Sequence, residues 1–266
     1  MEISISKNKS KRLQLKPVKM TCDYSINLIH PPLEPYHFFY VFCGKPASGK
    51  SSLMFSLINS PNKGYWKCFH DVHIFSPSLS TLGVKFKSKK FKLHSMLDED
   101  ELEELLTNVK ERYENSKEMK NEFNELETKK EKEEFIKENG VFPEIFETLF
   151  IFDDFIMQLK GCMSSLTKLA YNRRHYGTSL MLSTQKFNEI NAKLRPAISS
   201  LFLWRTNIDL ERKTIHREIF GNMSYDEFCY LMDVLLTSQH DFMLFNVYKQ
   251  ELYDTSFGKV KWKKLK

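Results

Sequence analysis

Apolar and polar positions divide the chain into short buried runs and amphipathic stretches that alternate. The run "HFFYVFCG" (37–44) is almost wholly apolar and ends on glycine, which predicts a buried strand, and "SSLMFSLINS" (51–60) follows with helical spacing and stops at Pro61. "CFHDVHIFSPS" (68–78) alternates until Pro77 breaks it, and "FKLHSML" (91–97) predicts another short strand. Further strands are predicted at "TLFIFDDF" (148–155), "TSLMLSTQ" (178–185), "SSLFLWRT" (199–206) and "DFMLFNVY" (241–248), the last closing the sheet. Helices fall between them: one carrying Met163, Leu166, Leu169 and Ala170, and two over about 208–220 and 224–236. Strands that alternate with helices in this way predict an α/β fold with a mostly parallel sheet and helices on both faces.

One stretch departs from the pattern. From Asp98 to Asn139 the chain is densely charged, with Leu102, Leu105, Leu106, Val109, Tyr113, Phe123, Leu126, Phe135 and Ile136 at helical spacings. This predicts a helical insertion at about 98–139, either solvated at the rim of the sheet or serving as an arm for a partner. Residues 98–138 hold 16 acidic and 8 basic side chains, so the formal net charge of +6 conceals +14 on everything else. The basic excess gathers in "KNKSKRLQLKPVK" near the start, in "KFKSKKFK" (85–92), between Lys160 and Arg217, and in "KVKWKKLK" at the end. Such clusters suit a polyanion, although Lys-rich termini also serve as plain solvated tails.

At 266 residues one large core is expected, with a basic N-terminal segment over 1–35, a main domain over 36–258 and a basic tail over 259–266. The apolar runs are far short of the roughly 18 residues a membrane span needs, and the first residues lack a signal-peptide core. A soluble, unsecreted protein without a membrane partner is the expectation. Five widely spaced cysteines form no C-x-x-C pair, which argues for a reducing compartment and against a disulfide framework or zinc site.

The candidate chemistry begins at "GKPASGKSS" (44–52), which fits G-x-x-x-x-G-K-[ST] between a predicted strand and a predicted helix. In that setting Gly44, Lys45, Pro46, Ala47, Ser48, Gly49, Lys50, Ser51 and Ser52 form a loop whose N–H groups cradle the phosphates of ATP. Lys50 reaches the β/γ oxygens and Ser51 ligates Mg²⁺. Asp153 and Asp154 close an apolar strand; Asp153 is placed for the Mg²⁺ shell and Asp154 for the attacking water, while a helix cap is the competing role for such a pair. Gln185, at the end of the next strand, is placed to sense the γ-phosphate or orient the water, or else caps the following turn.

The segment "RRHYGTSLMLSTQKFNEINAKLRPAISSLFLWRTNIDLERKTI" resembles the stretch through the sensor glutamine in the HerA/FtsK superfamily of DNA-translocating ATPases. The loop, the Asp-Asp in place of Asp-Glu and the R-x-x-x-G-T-S…Q spacing are similar to the genome-packaging ATPases of large DNA viruses, the poxvirus A32-type group, and of virophages. The resemblance covers roughly 37–60 and 145–250. It implies a RecA-like, Mg²⁺-dependent ATPase that works as a hexameric or pentameric ring and pumps double-stranded DNA without reading its sequence. It also implies a capsid or portal-vertex partner and work in the host cytoplasm, at a viral assembly site or in the virion. Lys50, Ser51, Asp153, Asp154 and Gln185 carry over onto the family's site. Arg173, Arg174 and Arg205 are candidates for the arginine supplied to a neighbouring subunit, Arg174 first among them, with contact to the DNA backbone as its rival role. Two other functions fit a P-loop: a nucleotide kinase, and a scaffold that binds nucleotide without turnover. A kinase needs an Arg-rich lid, whereas the charged insertion is acidic and holds only Arg112.

Overall fold

The apolar runs form strands because successive side chains point to opposite faces and both faces are covered. The structure, a computed structural model, describes residues 2–5, 29–61, 64–77, 86 and 88–263. In chain order the elements are β1 (Glu2–Ile5), β2 (Phe39–Cys43), α1 (Lys50–Asn59), β3 (Asp71–Phe75), β4 (Phe91–His94), α2 (Glu99–Glu125), α3 (Lys129–Asn139) and β5 (Thr148–Phe152). There follow α4 (Met163–Asn172), β6 (Thr178–Thr184), β7 (Ser200–Trp204), α5 (Asp209–Ile219), α6 (Tyr225–Leu235), β8 (Phe242–Asn246), β9 (Glu251–Tyr253) and β10 (Lys259–Lys263).

The strands lie in the order β1-β10-β9-β8-β7-β2-β6-β5-β3-β4. From β7 to β4 every pairing is parallel, and β8, β9, β10 and β1 extend the sheet antiparallel on the other side. The expected α/β sheet is therefore present, mixed and larger than its apolar runs announce. Alternation divides the core in two. Phe38, Tyr40 and Phe42 enter one half with Met54, Phe55 and Ile58 of α1, while Phe39, Val41 and Cys43 enter the other with residues of α2, α4, α5 and α6. A fully buried Phe stabilises by roughly 1.5–3 kcal/mol, so the central strands anchor the fold.

The charged segment is only partly an appendage. Leu102, Leu106, Val109 and Tyr113 are buried, and α2 packs along α4 as the crossover that carries the chain from β4 to β5. Glu99 fastens this helix by accepting from the backbone N–H and the hydroxyl of Ser165 at 2.9 and 2.7 Å. Beyond Tyr113 the pattern changes: α3 has no buried residue, and Phe123 meets Phe135 and Phe142 at ring distances of 5.8 and 5.2 Å. A solvated reading thus describes the outer part of 98–139, and the inner half of α2 is a structural layer.

Basic composition also misplaces the C-terminal boundary. Lys259–Lys263 pairs with β9 and β1, with Val260 buried while Lys259 and Lys261 face out, so the predicted tail is a strand as far as Lys263. Residues 6–28 of the basic N-terminal segment, Lys85 and Lys87 of "KFKSKKFK", and 264–266 lie outside the described residues. Among the described residues no helix is long and apolar enough to cross a membrane.

Candidate nucleotide site

β2 feeds directly into the glycine loop, which is fixed at its first residue by a hydrogen bond from Gly44 N–H to the Thr184 carbonyl at the end of β6, 3.2 Å. A Cβ at Gly44 would stand 2.6 Å from Trp204 Cβ and 3.0 Å from Ser48 Oγ, so the loop has room there for glycine alone. It turns back at Ala47 (φ 60°) and Gly49 (φ 100°), the second being a conformation that glycine adopts without steric cost. α1 then begins at Lys50 with no side chain capping its first turn, which leaves N–H groups for an anion. Lys50 Nζ donates to the loop's own carbonyls at Gly44 and Lys45, 2.7 and 2.8 Å, and so is held over the cradle. Burial lowers the pKa of this ammonium, while Asp154 foremost, then Cys43 and Asp153, oppose the shift. Ser48 Oγ is buried without a protein partner and adds an unsatisfied polar group to the same cradle.

β5 places the carboxylates. Asp153 is 2 % exposed and accepts from the hydroxyls of Ser51 (2.7 Å) and Ser183 (2.8 Å), while its N–H donates to the Phe75 carbonyl, 2.9 Å. Burial pushes its pKa up; the two hydroxyls oppose that, Asp154 adds to it and Lys50 works against it. Asp154 is exposed, sits in the left-handed region at φ 51°, and is held there by its N–H to Ser183 Oγ, 2.8 Å. Gln185, carried by β6 between β2 and β5, aims its amide N–H at both Asp154 oxygens, 3.3 and 3.4 Å. The loop, Ser51, Asp153, Asp154 and Gln185 thus meet outside the carboxyl ends of adjacent strands, where open α/β sheets bind ligands. Ser52 lies one position further along α1 and is exposed.

The donor set fits Mg²⁺. Ser51 and Asp153 offer a hydroxyl and a buried carboxylate 2.7 Å apart. Mg²⁺ takes oxygen ligands and is usually held by one or two carboxylates together with substrate phosphates.

The three arginines separate by position. Arg173 is 6 % exposed and donates to the carbonyls of His37 (2.6 Å) and Ala170 (2.5 Å) and to the Tyr248 hydroxyl (2.9 Å), so its guanidinium is committed inside the fold. Arg205, just past β7, is at the nucleotide edge but is tied to the Leu236 carbonyl (3.1 Å) and Asp233 (2.8 Å). Arg174 is exposed and precedes β6, at the opposite edge of the sheet from Gln185. It therefore takes no part in the site of its own subunit.

Two supports of the site left no mark in the motif. In the turn before β8, Gln239 donates to the Ala47 carbonyl (3.0 Å), and His240 Nδ1 lies 3.2 Å from the Ser48 carbonyl. A planar trans peptide points its C=O and N–H in opposite directions, so holding the Ser48 carbonyl outward aims the Gly49 N–H the other way, while the Ser48 N–H closes a turn onto the Lys45 carbonyl at 3.3 Å. Asp241 builds this turn by accepting from Thr237 N–H, Thr237 Oγ1 and Ser238 N–H at 2.6–3.0 Å, a local signal that the sequence does carry. The second support is Glu211, buried in the first turn of α5, which accepts from Phe187 N–H and Thr206 Oγ1, both at 2.6 Å. It joins the segment after Gln185 to the exit of β7. Beside it, a cavity of about 90 Å³ opens against Gly44, Lys45 and Pro46. The double variant Gln239→Ala/His240→Ala is expected to weaken ATP-γS binding about tenfold, since each lost bond is worth roughly 0.5–1.5 kcal/mol. Equilibrium titration checks it, and an unchanged affinity would mean that the loop holds its shape unaided.

No protein-family model matches the sequence, and no curated protein matches it. Solved structures do. The DNA-packaging ATPase B204 from Sulfolobus Turreted Icosahedral Virus superposes with a TM-score of 0.53 at 15% identity, over 82% of this chain and 97% of that one. The genome packaging NTPase B204 from Sulfolobus turreted icosahedral virus 2 matches in its complex with ATP-γS (TM-score 0.54, 15% identity, 84% and 98% of the two chains). It matches likewise in its complex with sulfate (0.54, 16% identity, 88% and 100%). The likeness spans nearly the whole of those chains. The chain has the fold of a P-loop NTPase, of the kind seen in viral genome-packaging enzymes.

Proposed function

We propose that the protein is an ATP-hydrolysing motor that translocates double-stranded DNA and packages a viral genome into a capsid. The observation that carries this reading is the convergence of the Gln185 amide on Asp154, beside the Ser51–Asp153 pair and the loop. Hydrolysis needs a held phosphate, a metal shell and an oriented water, and those residues supply all three. The loop N–H groups and Lys50 hold the β/γ phosphates; Ser51 and Asp153 would hold Mg²⁺, which would neutralise developing charge on the phosphate oxygens. Asp154 accepts a hydrogen from the attacking water, and Gln185 orients that water from the neighbouring strand.

A motor reading is favoured over a kinase by what the charged segment does. Its single arginine, Arg112, is bound to Asp71 at 2.6 Å and stacked over Phe146 at 4.2 Å, so no arginine of that segment is left to close over a second nucleotide. The fold shared with B204, whose own name describes DNA packaging, supports the substrate class. Among the described residues no arginine hydrogen-bonds to the loop or to the carboxylates, which is the arrangement expected if copies assemble as a hexameric or pentameric ring and a neighbour supplies one. A capsid or portal-vertex protein is the corresponding partner. ATP-driven displacement of a triplex-forming strand from a long duplex tests the reading: release in the presence of ATP and none with ATP-γS is expected. Turnover that needs a small phosphoryl acceptor, with no strand release, would overturn it.

A further inference from the structure

Gln185 is aimed at Asp154 by weak bonds of its own. Its amide lies 3.3 and 3.4 Å from the two carboxylate oxygens, longer than an ordinary N–H···O bond, and the side chain is exposed. It also has space to turn into, because Gln185 and Lys186 line the cavity of about 90 Å³ together with Trp204 and Thr206. Its direction then depends on how firmly the backbone on either side is held.

Before Gln185 the Thr184 carbonyl accepts from Gly44 N–H at 3.2 Å, and Thr184 Oγ1 closes a local turn on the Lys186 carbonyl at 2.9 Å. Beyond that turn the tie is Glu211. This buried carboxylate meets the exits of three strands that lie side by side, β7, β2 and β6. Phe187 N–H, past the end of β6, donates to Oε1 at 2.6 Å, and the Thr206 hydroxyl, past the end of β7, donates to Oε2 at 2.6 Å. The thiol of Cys43, the last residue of β2, donates to Oε1 at 3.8 Å. Burial pushes the pKa of this thiol up, with Glu211 as the next cause, so the sulfur keeps the proton it donates. Ile215 and Ile219 bury the helix that carries Glu211, which makes α5 a fixed support.

We infer that Glu211 is a positioning residue for hydrolysis: it holds the turn that carries Gln185, so that the amide addresses Asp154 and the attacking water. The inference rests on the hydrolysis step of the motor reading above. Phe187 N–H and the Thr206 hydroxyl both donate, and a side chain that accepts on two oxygens joins them at once. An apolar residue in its place would fill the space but leave Phe187 N–H buried and unpaired, and the turn would be free to shift.

The test is a double-mutant cycle between Glu211→Ala and Gln185→Ala, read in single-turnover ATP hydrolysis, ATP-γS affinity and a melting curve. Glu211→Ala alone is expected to slow hydrolysis at saturating ATP about tenfold while ATP-γS affinity changes by less than about threefold. In the Gln185→Ala background it should slow hydrolysis no further, since a residue that acts through Gln185 then has nothing to position. Glu211→Gln, whose amide can accept from Phe187 N–H and donate to Thr206 Oγ1, should recover most of the rate. If Glu211→Ala melts below the assay temperature, Thr206→Val, which keeps the bond to Phe187, takes its place in the cycle, with an expected loss of about threefold and the same dependence on Gln185. An equal loss in both backgrounds, or wild-type turnover in Glu211→Ala, would overturn this inference and leave the motor reading standing. Wild-type turnover in Gln185→Ala would overturn both.

Discussion

Asp154→Asn is expected to bind ATP-γS about as tightly as the wild type and to hydrolyse ATP at least about 10²-fold more slowly, the usual range for loss of a general base being 10²–10⁴. The substitution is unusually clean at this position. Asp154 holds φ 51°, a conformation that Asn tolerates nearly as well as Asp, so the backbone and its bond to Ser183 Oγ are kept. An Asn carbonyl still accepts from Gln185, so the pair of side chains keeps its geometry and loses only the charge that takes a hydrogen from water. Asp154→Glu is less clean, because a longer side chain sits less easily in the left-handed region. Single-turnover hydrolysis beside equilibrium binding makes the distinction. Loss of binding and turnover together would give Asp154 a role in holding the loop, and wild-type turnover would remove it from the chemistry.

Lys50→Ala should have an effect of similar size but of a different kind. Lys50 is 8 % exposed and bonds to two loop carbonyls, and the same ammonium is the only one held inside the cradle among the described residues. Its removal takes a charge-assisted donor from both the bound phosphate and the transition state. ATP-γS affinity is expected to fall at least about tenfold, and turnover at saturating ATP by roughly 10²–10³. The lysine is buried and ties two loop carbonyls, so a melting curve belongs with the measurement: a drop in both affinity and turnover at an unchanged melting temperature assigns the loss to the site. Affinity that survives in Lys50→Ala would mean that the N–H cradle alone carries the phosphates.

Much of this fold and site is legible in the sequence because each central strand is a short apolar run and the glycine loop joins two of its elements. The carboxylates and Gln185 are legible for the same reason, as polar residues that end apolar strands. What escapes the sequence is long-range. That β6 lies between β2 and β5, and so brings Gln185 onto Asp154, follows from crossovers and not from any local pattern. The inner half of α2 has a clear apolar stripe at Leu102, Leu106, Val109 and Tyr113, but the surrounding acidic residues disguise a core crossover as an appendage. β10 is hidden likewise, since alternation of Lys259, Val260 and Lys261 reads as a basic tail until a strand edge is there to pair with it. The grip of Gln239 and His240 on a loop some 190 residues earlier has no sequence signature. Arg173 shows the converse: in sequence it stands beside Arg174 as a candidate, and its burial separates a structural arginine from an exposed one.

The central claim is that this site hydrolyses ATP in order to move DNA. Steady-state ATP turnover of the wild type with and without a long double-stranded DNA tests it most directly, with Asp154→Asn as the background. A rise in turnover on adding duplex, absent in Asp154→Asn, is the result predicted. Turnover that proceeds normally and ignores DNA would contradict it.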